Sequence, residues 1–169
     1  RSVLGLKKCS SAKKPSCDMG RNQPHEAEHY ILKGIELAKK ANNPARMAVL
    51  QGMASEVYHA LGDAKEALKY INEACKIEQK LGNEHKLMVR LSQKASVLIG
   101  LHDYKEAKSL LNQVIPYLEK VGDKQSLAIS CNKMGMALMG ENRNDEAVWY
   151  YRKAADIFAN IGDRGNEMH

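Results

Sequence analysis

A repeat of forty residues constrains this chain more than any other feature of its sequence. The pair Glu-Ala recurs at this interval, as Glu26-Ala27, Glu66-Ala67, Glu106-Ala107 and Glu146-Ala147, and so does a glycine, as Gly82, Gly122 and Gly162. We call positions that lie forty residues apart one slot. A fixed period of this length is typical of a solenoid, in which supersecondary units stack because none can bury its apolar face alone.

The stretch 64–81 has the pattern of an amphipathic helix. Its apolar residues fall at spacings of three and four, and lysines and other polar residues occupy the opposite face. Asp63, followed three residues later by Glu66, predicts the start of the helix, because such side chains satisfy free backbone N–H groups. Gly82 predicts its end, since glycine adopts the left-handed conformation without strain. We expect Gly122 and Gly162 to end the equivalent helices.

A second helical pattern precedes each of these helices, at about 45–60, 84–100 and 124–140. Asn43-Pro44, Asn83 and Asp123 stand at its starts, and asparagine before proline is typical of a helix N-terminus. Each unit is therefore predicted to be a hairpin of two antiparallel helices, which we call helix A and helix B.

Small residues mark the places where helices A and B of one unit cross. They are Ser55, Ala95 and Gly135 on helix A, and Ala67, Ala107 and Ala147 on helix B. With Tyr58, Leu98 and Leu138 three residues after the first set, they resemble the tetratricopeptide repeat, although its usual period is about thirty-four residues. The resemblance covers about 24–163 and implies an all-α fold, a right-handed superhelix of antiparallel helical hairpins.

The period divides the chain into repeats at 44–83, 84–123 and 124–163. Residues 1–43 align as a degenerate, basic first repeat, with helix B at about 24–41. Its helix A is expected to be irregular, because Pro15 occupies the small slot and removes a helical hydrogen bond. Residues 164–169 align with the start of a further helix A, so we expect the chain to be part of a longer protein.

The location of charge and of apolar residues argues against two classes of partner. Residues 1–24 carry six Lys or Arg and one Asp, so they hold +5 of the net charge of +6 and leave the repeats nearly neutral. Nucleic-acid binding is therefore not expected. No apolar run approaches the eighteen or so residues of a membrane span, so no membrane partner is expected either.

The four cysteines do not have metal-site spacing. Cys75 and Cys131 lie on apolar helix faces, where cysteine behaves as a small buried hydrophobe. Cys9 and Cys17 would lie too far apart on a helical path to form a disulfide. A reducing compartment, and hence the cytoplasm, is favoured.

Residues 25–29 spell the zinc-protease motif H-E-x-x-H, but the repeat argues against a metal site. Glu26-Ala27 is the recurring pair of this chain, and His25 and His29 occupy slots that hold Lys65 and Lys69 in the next repeat. No third ligand follows. We expect no metal, no other cofactor and no catalysis.

Two residues of helix B depart from the repeat pattern. Pro116 interrupts the third helix B, so we expect a kink near Asn112. Trp149, the only tryptophan, stands where Lys69 lies in an earlier repeat. It is either an exposed interface anchor or a cover for the junction with a following repeat.

The resemblance implies that helix A lines the inner wall of a trough. The candidate peptide-binding residues on this wall are Glu56, His59, Ser92, Gln93, Ser96, Asn132, Lys133, Met136 and Met139. Val49, Gly52, Val89, Ile99 and Ile129 line the same wall. The carboxylate clamp of chaperone-binding family members is not predicted, because only Asn132 and Lys133 resemble it. Met136 and Met139 suit an apolar peptide or helix, or else they are packing residues of the stack.

The sequence therefore predicts a non-enzymatic interaction scaffold that binds a peptide or helix, from another protein or from another domain of its parent chain. The alternative is a ligand- or peptide-sensing segment of a larger bacterial signalling or transcription-regulatory protein. A dimer through an uncapped C-terminal end is also possible, since the last helix pair would lack a covering neighbour.

Overall fold

The computed structural model describes the backbone of residues 15–167 and the side chains of 24–162. This part of the chain is helical and contains no strand, which confirms the all-α prediction. Seven helices follow one another: α1 (Pro15–Lys40), α2 (Pro44–Ala60), α3 (Ala64–Leu81), α4 (Glu84–Gly100), α5 (Tyr104–Val121), α6 (Lys124–Gly140) and α7 (Asn144–Glu167).

Helices α2 to α6 begin where the sequence predicts. The Asp63 carboxylate accepts a hydrogen bond from the Glu66 backbone N–H at 3.1 Å, and Asn43, Asp103 and Asp123 cap their helices in the same way. Asn83 differs, because its side chain makes no cap hydrogen bond. Its amide instead donates to the Glu78 carboxylate at 3.4 Å, so the start of α4 lacks this stabilisation.

Two of the three predicted glycine stops are confirmed. Gly82 and Gly122 end α3 and α5 in the left-handed conformation, at φ of 72° and 78°. The prediction for Gly162 is wrong, because α7 continues through it to Glu167. Glycine permits a left-handed turn but does not impose one, and no described helix folds back against α7 here. Residues 164–167, predicted to begin a further helix, belong to α7, and 168–169 lie outside the described residues.

The small residues lie where the helices of each hairpin cross. Ala67, Ala107 and Ala147 are completely buried, and the Ser55 hydroxyl donates to the Ala67 carbonyl across the crossing at 2.8 Å. A carbon added to Gly135 would lie 2.9 Å from the Tyr151 ring, closer than packed atoms approach. The predicted contact of Ser55 with Ala67 is therefore confirmed, and the crowding at Gly135 and the complete burial of the three alanines indicate that these slots admit only small side chains.

Successive hairpins stack through buried apolar side chains. One cluster of them joins α4 to α7 and includes side chains of α5 and α6, namely Leu111, Val114, Leu118, Leu127 and Cys131. The backbone of α4 comes within 8 Å of both α2 and α6, whereas no such approach joins the described parts of α3, α5 and α7. The A helices of successive repeats therefore lie closer together than the B helices, so the array is curved and the A helices form its concave side.

One buried slot departs from this apolar pattern. Glu78 is 1% exposed in α3, whereas the same slot holds Leu118 in α5 and Ala38 in α1, both buried. The Glu78 Oε2 atom has no hydrogen-bond partner among the described residues. A buried carboxylate oxygen without a partner is destabilising. Leu118, in the same slot one repeat later, indicates that a leucine side chain would suit the space.

The first helix is longer than predicted. We expected helix B of the first repeat at about 24–41, but α1 begins at Pro15 and runs without a turn through 20–23. Pro15 stands at its first position, where a missing N–H is tolerated. Residues 1–14, which hold most of the predicted irregular helix A, lie outside the described residues. The repeat boundaries themselves stay a prediction.

Other features of the chain leave the stack intact. Pro116 lies on the exposed side of α5, which is assigned as one helix from Tyr104 to Val121. The kink near Asn112 stays a prediction. Among the described helices, none combines the length and the apolar character that crossing a membrane requires.

Candidate functional site

The concave side of the array is formed by α2, α4 and α6, and we call this surface the helix-A wall. All nine predicted binding residues lie on these three helices, but they differ in accessibility. Glu56, His59, Met136 and Met139 are exposed, while Gln93, Ser96, Asn132 and Lys133 are partly buried and Ser92 is buried.

Two of these residues bind the neighbouring repeat. The Gln93 amide donates to the Gly52 carbonyl of α2 at 2.9 Å, and the Lys133 ammonium donates to the Ser92 carbonyl of α4 at 3.1 Å. Gln93 and Lys133 share one slot, and Gly52 and Ser92 share another. The same cross-repeat hydrogen bond therefore occurs twice, and it fixes the spacing between adjacent A helices.

Ser92 is enclosed by this arrangement. Its hydroxyl lies 3.2 Å from the Lys133 ammonium and 3.0 Å from the Ser130 hydroxyl. Arg90 fills the space above Gly52, where an added carbon would collide with its guanidinium group, and it also donates to Gln93. Ser92, Gln93 and Lys133 therefore organise the helix-A wall and have little freedom to bind a partner.

Burial perturbs the ammonium of Lys133. It lowers the pKa of Lys133 from 10.5 to about 8, and the nearby Glu56 carboxylate opposes this effect. Sequence reasoning gave no sign of it, because Lys133 occupies a wall slot whose burial depends on how closely α4 and α6 approach.

This pKa predicts how stability depends on pH. Between about pH 8 and 10.5 the unfolded chain binds more protons at Lys133 than the folded chain, so the free energy of unfolding should rise with pH. Its contribution should grow by about 1 kcal/mol from pH 7 to 9. Lys133→Gln gives this slot the residue that it holds one repeat earlier, Gln93. The variant should remove the rise in the free energy of unfolding while preserving a hydrogen-bond donor to Ser92.

Urea unfolding of both proteins at pH 7 and pH 9 measures this difference. Two other groups also make stability depend on pH, because burial raises the pKa of Cys75 to about 11 and that of Tyr58 to about 12. Both groups are present in the wild-type chain and in the variant, so the difference between the two pH slopes is the contribution of Lys133. Equal pH slopes for the two proteins would contradict the assignment.

The accessible part of the helix-A wall is largely apolar. One slot exposes a β-branched side chain in each repeat, Val49, Val89 and Ile129. Met53, Met136 and Met139 add exposed thioethers, and the last two are 49% and 47% exposed. Sequence reasoning did not include Met53, although it shares the slot of Gln93 and Lys133. Exposed apolar side chains aligned along a concave surface indicate an interaction site.

Trp149 lies away from the helix-A wall, on α7. It is 57% exposed, its ring packs edge-on against Tyr150, and the Lys153 ammonium lies 5.2 Å from its ring centre. Lys153 in turn pairs with Glu119 of α5 at 3.0 Å. Trp149 is therefore exposed beside a contact between α7 and the preceding repeat, and its role as an anchor or as a cover stays a prediction.

The described residues do not assemble a metal site. His25 and His29 are both exposed on α1, and no three His, Cys, Asp or Glu side chains converge within the described part of the chain. Cys131 is buried and Cys75 is partly buried. Cys9 and Cys17 lie outside the residues whose side chains are described.

Comparisons with known proteins agree with this architecture. A family model described as tetratricopeptide repeat matches residues 48–81 and 128–161. These segments comprise most of two hairpins, α2 with α3 and α6 with α7. No curated protein matches the chain.

Two crystal structures of a putative kinesin light chain from Podosopora anserina, described as having nearly identical TPR-like repeats, are similar to this chain. The first, of a variant with a single substitution, has a TM-score of 0.68 at 17% identity and covers 96% of this chain and 84% of that one. The second has a TM-score of 0.65 at 18% identity and covers 85% and 71%. At such identities the similarity shows the fold alone.

Proposed function

This chain is a tetratricopeptide-repeat protein, and from that premise we propose that its helix-A wall binds an apolar peptide or helix. Repeats of this family generally mediate protein–protein interactions. The segment bound would come from another protein or from another domain of a longer parent chain. No catalytic step is part of this proposal.

The observation that carries the proposal is the row of exposed apolar side chains on three successive A helices. Val49, Val89 and Ile129 occupy one slot and are each about two-fifths exposed. Such a row lets one segment contact several repeats at once. A partner with apolar side chains along one face would bury this row without loss of hydrogen bonds.

Free polar groups beside this row would orient the segment. Glu56 and His59 are exposed on α2, and Ser96 and Asn132 are partly accessible on α4 and α6. Gln93, Ser92 and Lys133 have a different role in this proposal, because their hydrogen bonds hold adjacent helices in place. A wall fixed before binding reduces the entropy lost when the partner docks.

The test selects helical peptides from a display library against the chain and measures their affinity for two variants. Met136→Asp/Met139→Asp places two carboxylates on the helix-A wall and should weaken binding at least tenfold, or about 1.4 kcal/mol, with an unchanged circular dichroism spectrum. The matched control is Val121→Asp, an exposed apolar residue of α5 outside the wall, which should bind normally. Equal binding to the wall variant and the wild-type chain would contradict the proposal.

We further propose that the C-terminal end of the array associates with a second copy of the chain. Phe158 and Val148 support this, because both are exposed on α7.

A further inference from the structure

One face of α7 is apolar and exposed, and we call it the terminal stripe. It consists of Val148, Tyr151, Ala155, Phe158 and Ala159, which fall on one side of the helix at spacings of three and four. Tyr151 is partly buried against Gly135, and the other four residues are exposed.

The same face is covered in the preceding repeat. Phe158 is 40% exposed, whereas Leu118 in its slot is completely buried. Ala155 is exposed, whereas Ile115 in its slot is buried. The helix that covers this face of α5 is α6, and α4 covers α3 in the same way. The terminal stripe is therefore a helix-binding surface that no described helix occupies.

Two charged residues beside the terminal stripe indicate what occupies it. Arg152 and Asp156 are both exposed, and neither forms an ion pair with another described side chain. They lie on the flank of α7 that also carries Trp149, one turn from each other. If two α7 helices cross antiparallel about a two-fold axis near residue 154, Arg152 of each copy lies opposite Asp156 of the other.

Resting on the association of two copies proposed above, we propose that the two chains pack their terminal stripes together, antiparallel, with two reciprocal Arg152–Asp156 pairs. Ala155, beside the two-fold axis, and Ala159, further along the stripe, both have small side chains, so the helix axes can approach closely. Tyr151 and Phe158 supply apolar area on one flank, and the charges fix the register on the other. The interface is isologous, the symmetry most common among homodimers.

Charge exchange tests this arrangement. Sedimentation equilibrium from micromolar to millimolar concentration should show a monomer–dimer equilibrium for the wild-type chain. Arg152→Asp and Asp156→Arg should each weaken dimerisation at least tenfold, because like charges then face each other. The double variant should restore it, because the opposite charges are exchanged between copies. Both sites are exposed, so circular dichroism should be unchanged.

A second variant tests the place of the interface. Ala155→Arg puts a large charged side chain at its centre and should abolish the dimer, whereas the exposed control Lys80→Asp on α3 should leave it intact. A wild-type chain that stays monomeric throughout would overturn the proposal. So would a dimer that survives Ala155→Arg, or single charge reversals that the double variant does not rescue.

The proposed dimer is independent of peptide binding by the helix-A wall. Met136→Asp/Met139→Asp should leave the dimer intact, and Ala155→Arg should leave peptide affinity unchanged. Failure of one proposal can therefore be distinguished from failure of the other.

Discussion

Replacing Glu78 with leucine is expected to stabilise the chain by about 1–3 kcal/mol. Glu78 is 1% exposed, and its Oε2 atom has no hydrogen-bond partner among the described residues. The substitution removes this unsatisfied acceptor and adds apolar surface to the core. It also removes the hydrogen bond from the Asn83 amide, but that bond is long, at 3.4 Å, and Asn83 is only partly buried, so little is lost. Leu118 shows that leucine fits the same slot one repeat later, so overpacking is not expected. Urea unfolding followed by circular dichroism measures the change.

The matched control for this prediction is Glu73→Leu on the same helix. Glu73 is exposed and forms only a weak pair with Lys76, so its replacement should change stability by no more than about 0.5 kcal/mol. If Glu78→Leu destabilises the chain, then its carboxylate is better satisfied than the structure indicates, and the comparison between slots has failed.

Replacing Ala107 with leucine should destabilise the chain by about 1–3 kcal/mol. Ala107 is completely buried at the crossing of α4 and α5 and belongs to the core cluster that joins α4 to α7. Three additional carbons would force these helices apart and disturb the packing of α5 against α6. The loss is expected in the midpoint of urea unfolding, with far-ultraviolet circular dichroism retained.

Ala45→Leu is the control for added bulk. Ala45 is exposed near the start of α2, where leucine and alanine have similar helix propensity, so little change is expected. A leucine at Ala107 that is tolerated as well as one at Ala45 would show that the two helices of this hairpin do not cross closely.

The period of the sequence accounts for most of the fold. Ala67, Ala107 and Ala147 recur at an invariant spacing, and this recurrence alone predicts which faces meet. Single residues that begin or end a helix were also predicted correctly in most cases. Asp63 and Gly82, for example, begin and end α3 as predicted. Such signals depend on neighbours in the chain and not on neighbours in space.

What the sequence did not reveal depends on the approach of separate helices. The hydrogen bonds from Gln93 and Lys133 connect residues forty-one positions apart, and they require adjacent A helices to converge on the concave side. The sequence shows that Gln93 and Lys133 share a slot. It does not show which carbonyl groups accept their hydrogen bonds, because that depends on the curvature of the array. The extent of α1 and α7 was missed because a proline or glycine permits a boundary without enforcing it.

The central claim is that each forty-residue repeat presents the next one with an equivalent surface. Inserting a second copy of residues 84–123 directly after residue 123 tests it most directly. The added α4 would have to pack on α5, where α3 is its natural neighbour, while the added α5 would meet α6 as in the wild-type chain. We predict a single cooperative urea transition with a higher midpoint and a steeper slope than the wild-type chain. An unchanged midpoint, with the inserted residues cut rapidly by protease, would contradict the claim.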